Sequence, residues 1–183
     1  MRIISPIKQP ATRSITTKLL KLTEDFIIIF EFEGKVHRLT IKKNFIFNGA
    51  SIPWFVWSLL RLAPHGVMDG PSCPHDCGYE NQGKFEEGTL HYWLGPINAT
   101  TWAFENYSNA FFWAVDTEPL TKKTLDLLLK HLCLWWGIDS IRSNLVYSAV
   151  RTFGWFPWRR NSRKMKAQQM TEEPGNVHLL KEL

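Results

Sequence analysis

"DFIIIFEFEGKVHRLTIKK" (Asp25–Lys43) decides the fold class. Phe26, Ile28, Phe30 and Phe32 recur at a period of two, which places them on one face of an extended chain. Gly34 then supplies a turn. In the following run Val36, Arg38 and Thr40 alternate with His37, Leu39 and Ile41. Two alternating runs around a glycine read as an antiparallel hairpin. Next comes "NFIFNGASIP" (Asn44–Pro53), expected to be a third strand running into a loop. Asn48-Gly49 is a turn pair, and Pro53 has no N–H to give a ladder.

Beyond Pro53 the period changes. "PWFVWSLLRL" (Pro53–Leu62) and "TWAFENYSNAFFWAVD" (Thr101–Asp116) read as helices. In "LTKKTLDLLLKHLCLWW" (Leu120–Trp136), Leu125, Leu128, Leu129, Leu132 and Trp136 form one helical stripe, which Gly137 ends. Asp139 or Ser140 caps a last helix through "IRSNLVYSAVRTFG", closed by Gly154. Strands followed by helices predict an α+β fold, with a small antiparallel N-terminal sheet packed on a C-terminal group of helices. The expected division is one domain over 1–158 and a basic, flexible tail over 159–183.

Composition narrows the class. With 183 residues, 44% hydrophobic and 21% charged, the chain has the make-up of one globular domain rather than a disordered one. "MRIISPIKQPATRS" (Met1–Ser14) places prolines and charges where a signal peptide needs an apolar run. No stretch reaches the roughly 18 apolar residues of a membrane span. The net charge of +5 equals the five cations Arg159, Arg160, Arg163, Lys164 and Lys166 of "WFPWRRNSRKMK" (Trp155–Lys166), a run without an acid. The basic character therefore belongs to the tail. Cys73, Cys77 and Cys133 are too few for a disulfide framework. Lacking a second ligand pair at matching spacing, they read as packed thiols in a reducing compartment rather than as a zinc site.

"PSCPHDCGYENQG" (Pro71–Gly83) gathers the chemistry-bearing residues. Asp69-Gly70-Pro71 reads as a turn, Ser72 or Cys73 as a cap and Pro74 as part of the first helical turn. His75 and Asp76 then fall at the positive end of the helix dipole. That favours an ionised Asp76 and predicts a lowered pKa for His75. His75 and Tyr79 share a face, as do Asp76 and Glu80. A structural reading stands beside this one: Asp76 suits a helix start, Glu80 can pair with Lys84, and His75 can bond a carbonyl. Ser51 reads as a helix cap beside the Asn48 turn, and His65 and Asp69 as solvated loop residues.

Two ordered motifs, "FNGASIP" (Phe47–Pro53) and "HDCGY" (His75–Tyr79), are followed by Tyr147, Arg151, Phe153 and Gly154. Over roughly residues 20 to 155 this arrangement resembles an uncharacterised phage and prophage domain family with a [D/N]-G-A-S-I-P motif and a downstream H-D-x-x-Y motif. The resemblance implies Asn48 and Ser51 as binding residues. It implies His75, Asp76, Tyr79 and Asn109 as the catalytic set, although Asn48 and Asn109 stand where the family pattern has acids. Residues 85–100 read as an insertion. The His-Asp-x-x-Tyr helix is also similar to that of small secreted calcium-dependent phospholipases. There the His is a base on water, the adjacent Asp binds calcium, and a Tyr and a second acid steady the His. This similarity implies Asp76 as a metal ligand for a divalent cation such as calcium.

Arg159, Arg160, Arg163 and Lys164, beside Trp155 and Trp158, suit contact with the host envelope or with other phage structural proteins better than with nucleic acid. Three functions are expected to compete. The first is a virion or tail component carrying a hydrolase-like His–Asp site, the second an active hydrolase of an envelope ester or amide with His75 as base, and the third a host-interference binding protein. The corresponding location is host cytoplasm or virion.

Overall fold

The computed structural model describes residues 1–5, 8–16, 19–48, 66–85, 89–94 and 113–161. The described strands are β1 (Arg2–Ser5), β2 (Thr12–Ser14), β3 (Leu20–Leu22), β4 (Phe26–Phe32), β5 (Lys35–Ile41), β6 (Ile46–Phe47), β7 (Leu90–Trp93) and β8 (Trp113–Val115). The described helices are α1 (Asp69–Glu80), α2 (Lys122–Trp135), α3 (Ser140–Phe153) and α4 over 155–161. The fold is α+β, with the strands concentrated in the first half and the helices in the second.

The hairpin forms as the alternation predicts. β4 and β5 pair antiparallel from Phe26↔Ile41 to Phe32↔Lys35. Glu33 and Gly34 make the two-residue turn at φ 51° and 76°, the left-handed backbone that matches the twist of a tight hairpin. Phe26, Ile28, Phe30, Leu39 and Ile41 fill the main core. The opposite face is covered as well: Ile29 and Val36 pack with Ile4 and Trp113.

Three expectations change. The strand expected after Asn44 forms as β6, but the single expected sheet is two, since β6 pairs with β3 in a separate sheet of order β2-β3-β6. The larger sheet, β1-β4-β5-β7-β8, draws β7 from the stretch read as an insertion, and its backbone completes the free edge of β5. Residues 113–115 close the other side of β7 as strand β8 rather than ending a helix. Ladder pairing thus outweighs the helical period there. The helix expected over 53–62 and the rest of the one expected over 101–116 lie outside the described residues.

α1 packs on β6 of the smaller sheet and on α2, α2 meets β1 of the larger sheet, and α3 packs on α2. Leu125, Leu128 and Leu132 of α2 face the sheet core, while Leu129 and Cys133 meet Val146 and Val150 of α3. Asp139 caps α3 by accepting the Arg142 N–H at 2.9 Å. Past Gly154 the chain turns helical again. Gln82 Nε2 donates to the Trp158 carbonyl at 2.6 Å, and Asn161 Nδ2 to that of Tyr79 at 3.1 Å. Arg159 and Arg160 thus belong to a helix anchored on α1, and residues 162–183 of the expected tail lie outside the described residues. Cys73, Cys77 and Cys133 are buried thiols. Burial pushes the Cys133 thiol up to about 12.

The closest approach of α1 to α2 is at Gly78, where a Cβ would run into the Leu125 side chain. Leu125 is fully buried and has nowhere to retreat. Gly78→Ala is therefore expected to destabilise the fold by about 1–3 kcal/mol through overpacking. Urea denaturation measures this, and an unchanged midpoint would mean that the two helices have room to separate.

Candidate active site

α1 begins earlier than its sequence signals indicate. Gln9 reaches from the N-terminal segment, accepting the Gly70 N–H at 2.6 Å and donating to the Val67 carbonyl at 3.2 Å. It thereby satisfies the helix start in place of Ser72 or Cys73. Pro74 lies inside the helix, and His75 and Asp76 fall in its second turn. The dipole acts over the first turn, so it does not govern the imidazole.

What governs the imidazole is Asp126, in the second turn of α2. Its side chain is completely buried and accepts four hydrogen bonds. Oδ1 takes the Tyr79 hydroxyl at 2.6 Å and His75 Nε2 at 3.2 Å. Oδ2 takes Lys122 Nζ at 2.9 Å and Arg151 at 3.1 Å. Burial opposes ionisation of Asp126, but these donors outweigh it and hold the carboxyl at about 2. An ionised carboxylate only accepts, so Nε2 of His75 carries a proton and Nδ1 is the nitrogen available for exchange. The Tyr79 phenol is pushed up by burial and by its bond to Asp126, so it stays protonated as a donor. Gly154 leaves room for that hydroxyl; a Cβ there would strike it.

Nδ1 points toward Asp76, whose Oδ1 is 3.7 Å away, within ion-pair range but beyond a hydrogen bond. Oδ2 of Asp76 accepts the backbone N–H of Asn48 at 3.2 Å. Burial pulls the His75 pKa down, yet the hydrogen bond to Asp126 and the negative charge of Asp76 more than offset it, leaving the value raised. This corrects the lowered value expected from the helix dipole. Burial also raises Asp76, with repulsion from Glu80 in the same sense and only partial relief from His75.

A cleft of about 260 Å³ lies beside this pair, and Asn48, Asp76, Tyr79, Glu80, Arg160 and Asn161 are among its lining residues. His75 itself is only 1% exposed. Asp76 therefore stands between the imidazole and the cleft. The structure brings His75, Asp76, Tyr79, Asn48 and Arg160 together, while Arg159 lies over the Trp155 ring at 4.4 Å. Ser51, Asn109, Arg163 and Lys164 lie outside the described residues. Against a cation at Asp76, calcium takes six to eight oxygen ligands, and no group of three His, Cys, Asp or Glu that could hold a metal occurs among the described residues. The described residues alone do not fit such an ion.

No protein-family model, curated protein or solved structure matches the chain. The site therefore has to be judged on its own geometry. A second His–Asp contact, His37 Nδ1 to Asp116 Oδ2 at 3.4 Å, lines a larger cavity of about 370 Å³. There burial prevails over Asp116 and lowers the His37 pKa. His75, by contrast, is held by one carboxylate and faces another.

Sequence reasoning missed Asp126 and Lys122. Both carry a signal: Lys122 and Asp126 are four apart, and Asp126 precedes Leu129 by three and Cys133 by seven, which puts an acid on the buried stripe. Arg151 entered through the family resemblance alone.

Two outcomes follow. Asp126→Ala leaves buried donors unmatched and is expected to cost about 3–5 kcal/mol in urea denaturation. In the wild type, the Asp126 contribution is full above the ordinary aspartate value and is lost as pH falls from about 4 toward 2. His75 and Asp76, both raised, contribute in the opposite sense: their stabilisation is present at low pH and lost as pH rises through their folded values. Melting temperature against pH, compared with His75→Gln, tests the sign. Loss of the alkaline decline in the variant is expected, and an unaltered profile would show that His75 does not titrate.

Proposed function

We propose that the protein is a phage- or prophage-encoded hydrolase of an ester or amide in the host envelope, with the His75–Asp76 pair as its acid–base centre. The supporting observation is the two hydrogen bonds that Asp126 accepts, from His75 Nε2 and from the Tyr79 hydroxyl. Asp126 supplies the second acid that the family pattern would place where this chain has Asn109, and it fixes the tautomer that general base catalysis requires. Asp76 meets a cleft water and takes its proton in concert with His75 behind it. The hydroxide attacks the carbonyl carbon, and the proton passes to the leaving group as the carbon–heteroatom bond breaks. Arg160, lining the same cleft, balances the negative charge that develops on the carbonyl oxygen. Asp126 and Tyr79 are positioning residues.

The purified chain is expected to hydrolyse members of a p-nitrophenyl ester panel, or to release soluble fragments from an envelope fraction. His75→Asn and Asp76→Asn are each expected to lower kcat/KM by about 10²–10⁴-fold with the circular dichroism unchanged. Wild-type inertness toward both substrates, or full activity in His75→Asn, would sink the hydrolase reading.

The virion or tail component is a second reading, favoured by Ile141 and Leu145, which stand exposed one helical turn apart on α3 at 71% and 44%. Copurification with intact particles is its expected sign, and absence from them counts against it. No observation favours the host-interference reading.

A further inference from the structure

Helix α4 divides its residues by chemistry as well as by face. Pro157, Trp158 and Asn161 turn inward: Trp158 meets Tyr79 edge to face with ring centroids 5.2 Å apart, and Asn161 bonds the Tyr79 carbonyl. Trp155, Phe156, Arg159 and Arg160 fall on the opposite arc of the helix, and all four are exposed. An ordinary solvent-facing arc of this size would carry polar residues and both signs of charge. This one has two large aromatics, of which Phe156 is 70% exposed, and two guanidinium groups. Trp155 and Phe156 meet edge to face at 5.3 Å, and Arg159 stacks over Trp155, so the aromatic pair is held outward as a unit.

We infer that this outer arc of α4 is a docking surface for an anionic lipid bilayer, with Trp155 and Phe156 entering the headgroup layer and Arg159 and Arg160 pairing with lipid phosphates. Charge complementarity decides the occupant. Residues 155–166 carry five cations and no acid, which matches a surface of uniform negative charge. Aromatic rings beside cations are the composition of an interfacial rather than a spanning helix. Among the described residues no helix is long and apolar enough to cross a membrane, so the contact is peripheral. Arg160 and Asn161 also line the cleft beside Asp76. The docked face and the cleft therefore share one helix, and the cleft mouth lies next to the bilayer surface. This inference concerns binding and holds whether or not the cleft turns over substrate.

The test is sedimentation of the full chain with vesicles, either of phosphatidylcholine alone or with about 30% phosphatidylglycerol. At low salt the expected result is at least about tenfold more bound chain on the anionic vesicles, with loss at roughly 0.5 M salt. Arg159→Glu is expected to abolish binding, and Trp155→Ser combined with Phe156→Ser to weaken it about tenfold while binding to an acidic polymer such as polyglutamate is retained. A wild type that ignores anionic vesicles overturns the inference. So does a Trp155→Ser, Phe156→Ser chain that binds them as well as wild type, because charge alone would then explain the attraction. Polyglutamate binding equal to vesicle binding in the wild type points to an acidic protein partner and likewise overturns it. Should either variant melt early, wild-type tryptophan quenching by brominated lipid in the anionic vesicles replaces it. Quenching is expected, and its absence overturns the inference.

Discussion

Asp126 is a carboxylate with no exposure, and the helical half of the molecule is arranged around keeping it ionised. A lone buried charge of this kind would be untenable, and neutralisation by protonation would be the ordinary outcome. Here His75 and Tyr79 from α1, Lys122 from its own helix and Arg151 from α3 converge on its two oxygens. The donors from α1 and α3 tie those two helices to α2. The same bonds that solvate the carboxylate therefore set the spacing of three helices, orient the imidazole and lock its tautomer.

This arrangement stacks three titratable groups from core to cleft. Asp126 is innermost and held anionic, His75 lies next, and Asp76 stands at the cleft wall. Innermost and outermost carboxylates behave in opposite ways because their surroundings do. At Asp126 the donors outweigh burial, whereas at Asp76 burial and the nearby Glu80 outweigh the Asn48 amide and His75. Burial thus raises the carboxyl at the cleft wall, while hydrogen-bond donors lower the one in the core. α4 completes the setting: it closes one side of the cleft through Arg160 and Asn161 and leaves its aromatic arc outward.

Much of the fold was legible in local pattern. The period-two run at Phe26–Phe32 and the Leu125–Leu132 stripe depend only on which face of one element is buried, and each appears where its period puts it. β6, β7 and β8 are short, and their pairing partners lie far away in sequence. The choice between hairpin extension and a second sheet is made by long-range ladder hydrogen bonds that no local window contains. The start of α1 was misplaced for a similar reason, since its cap is Gln9, some sixty residues upstream.

For the site, the sequence by itself determined that His75, Asp76 and Tyr79 share one helix, and that His75 and Tyr79 share one face, because helical geometry fixes spacings of three and four. It also determined that the net positive charge sits in one aromatic run near the C-terminus. Only the tertiary structure decided that Asp126 is a partner of the histidine. It also decided that the imidazole pKa rises rather than falls and that Asp76, not His75, faces the cleft. The physical reason is that a proton affinity is set by the charges and donors within a few ångströms, and here the decisive one, Asp126, lies on a helix 51 residues further along the chain.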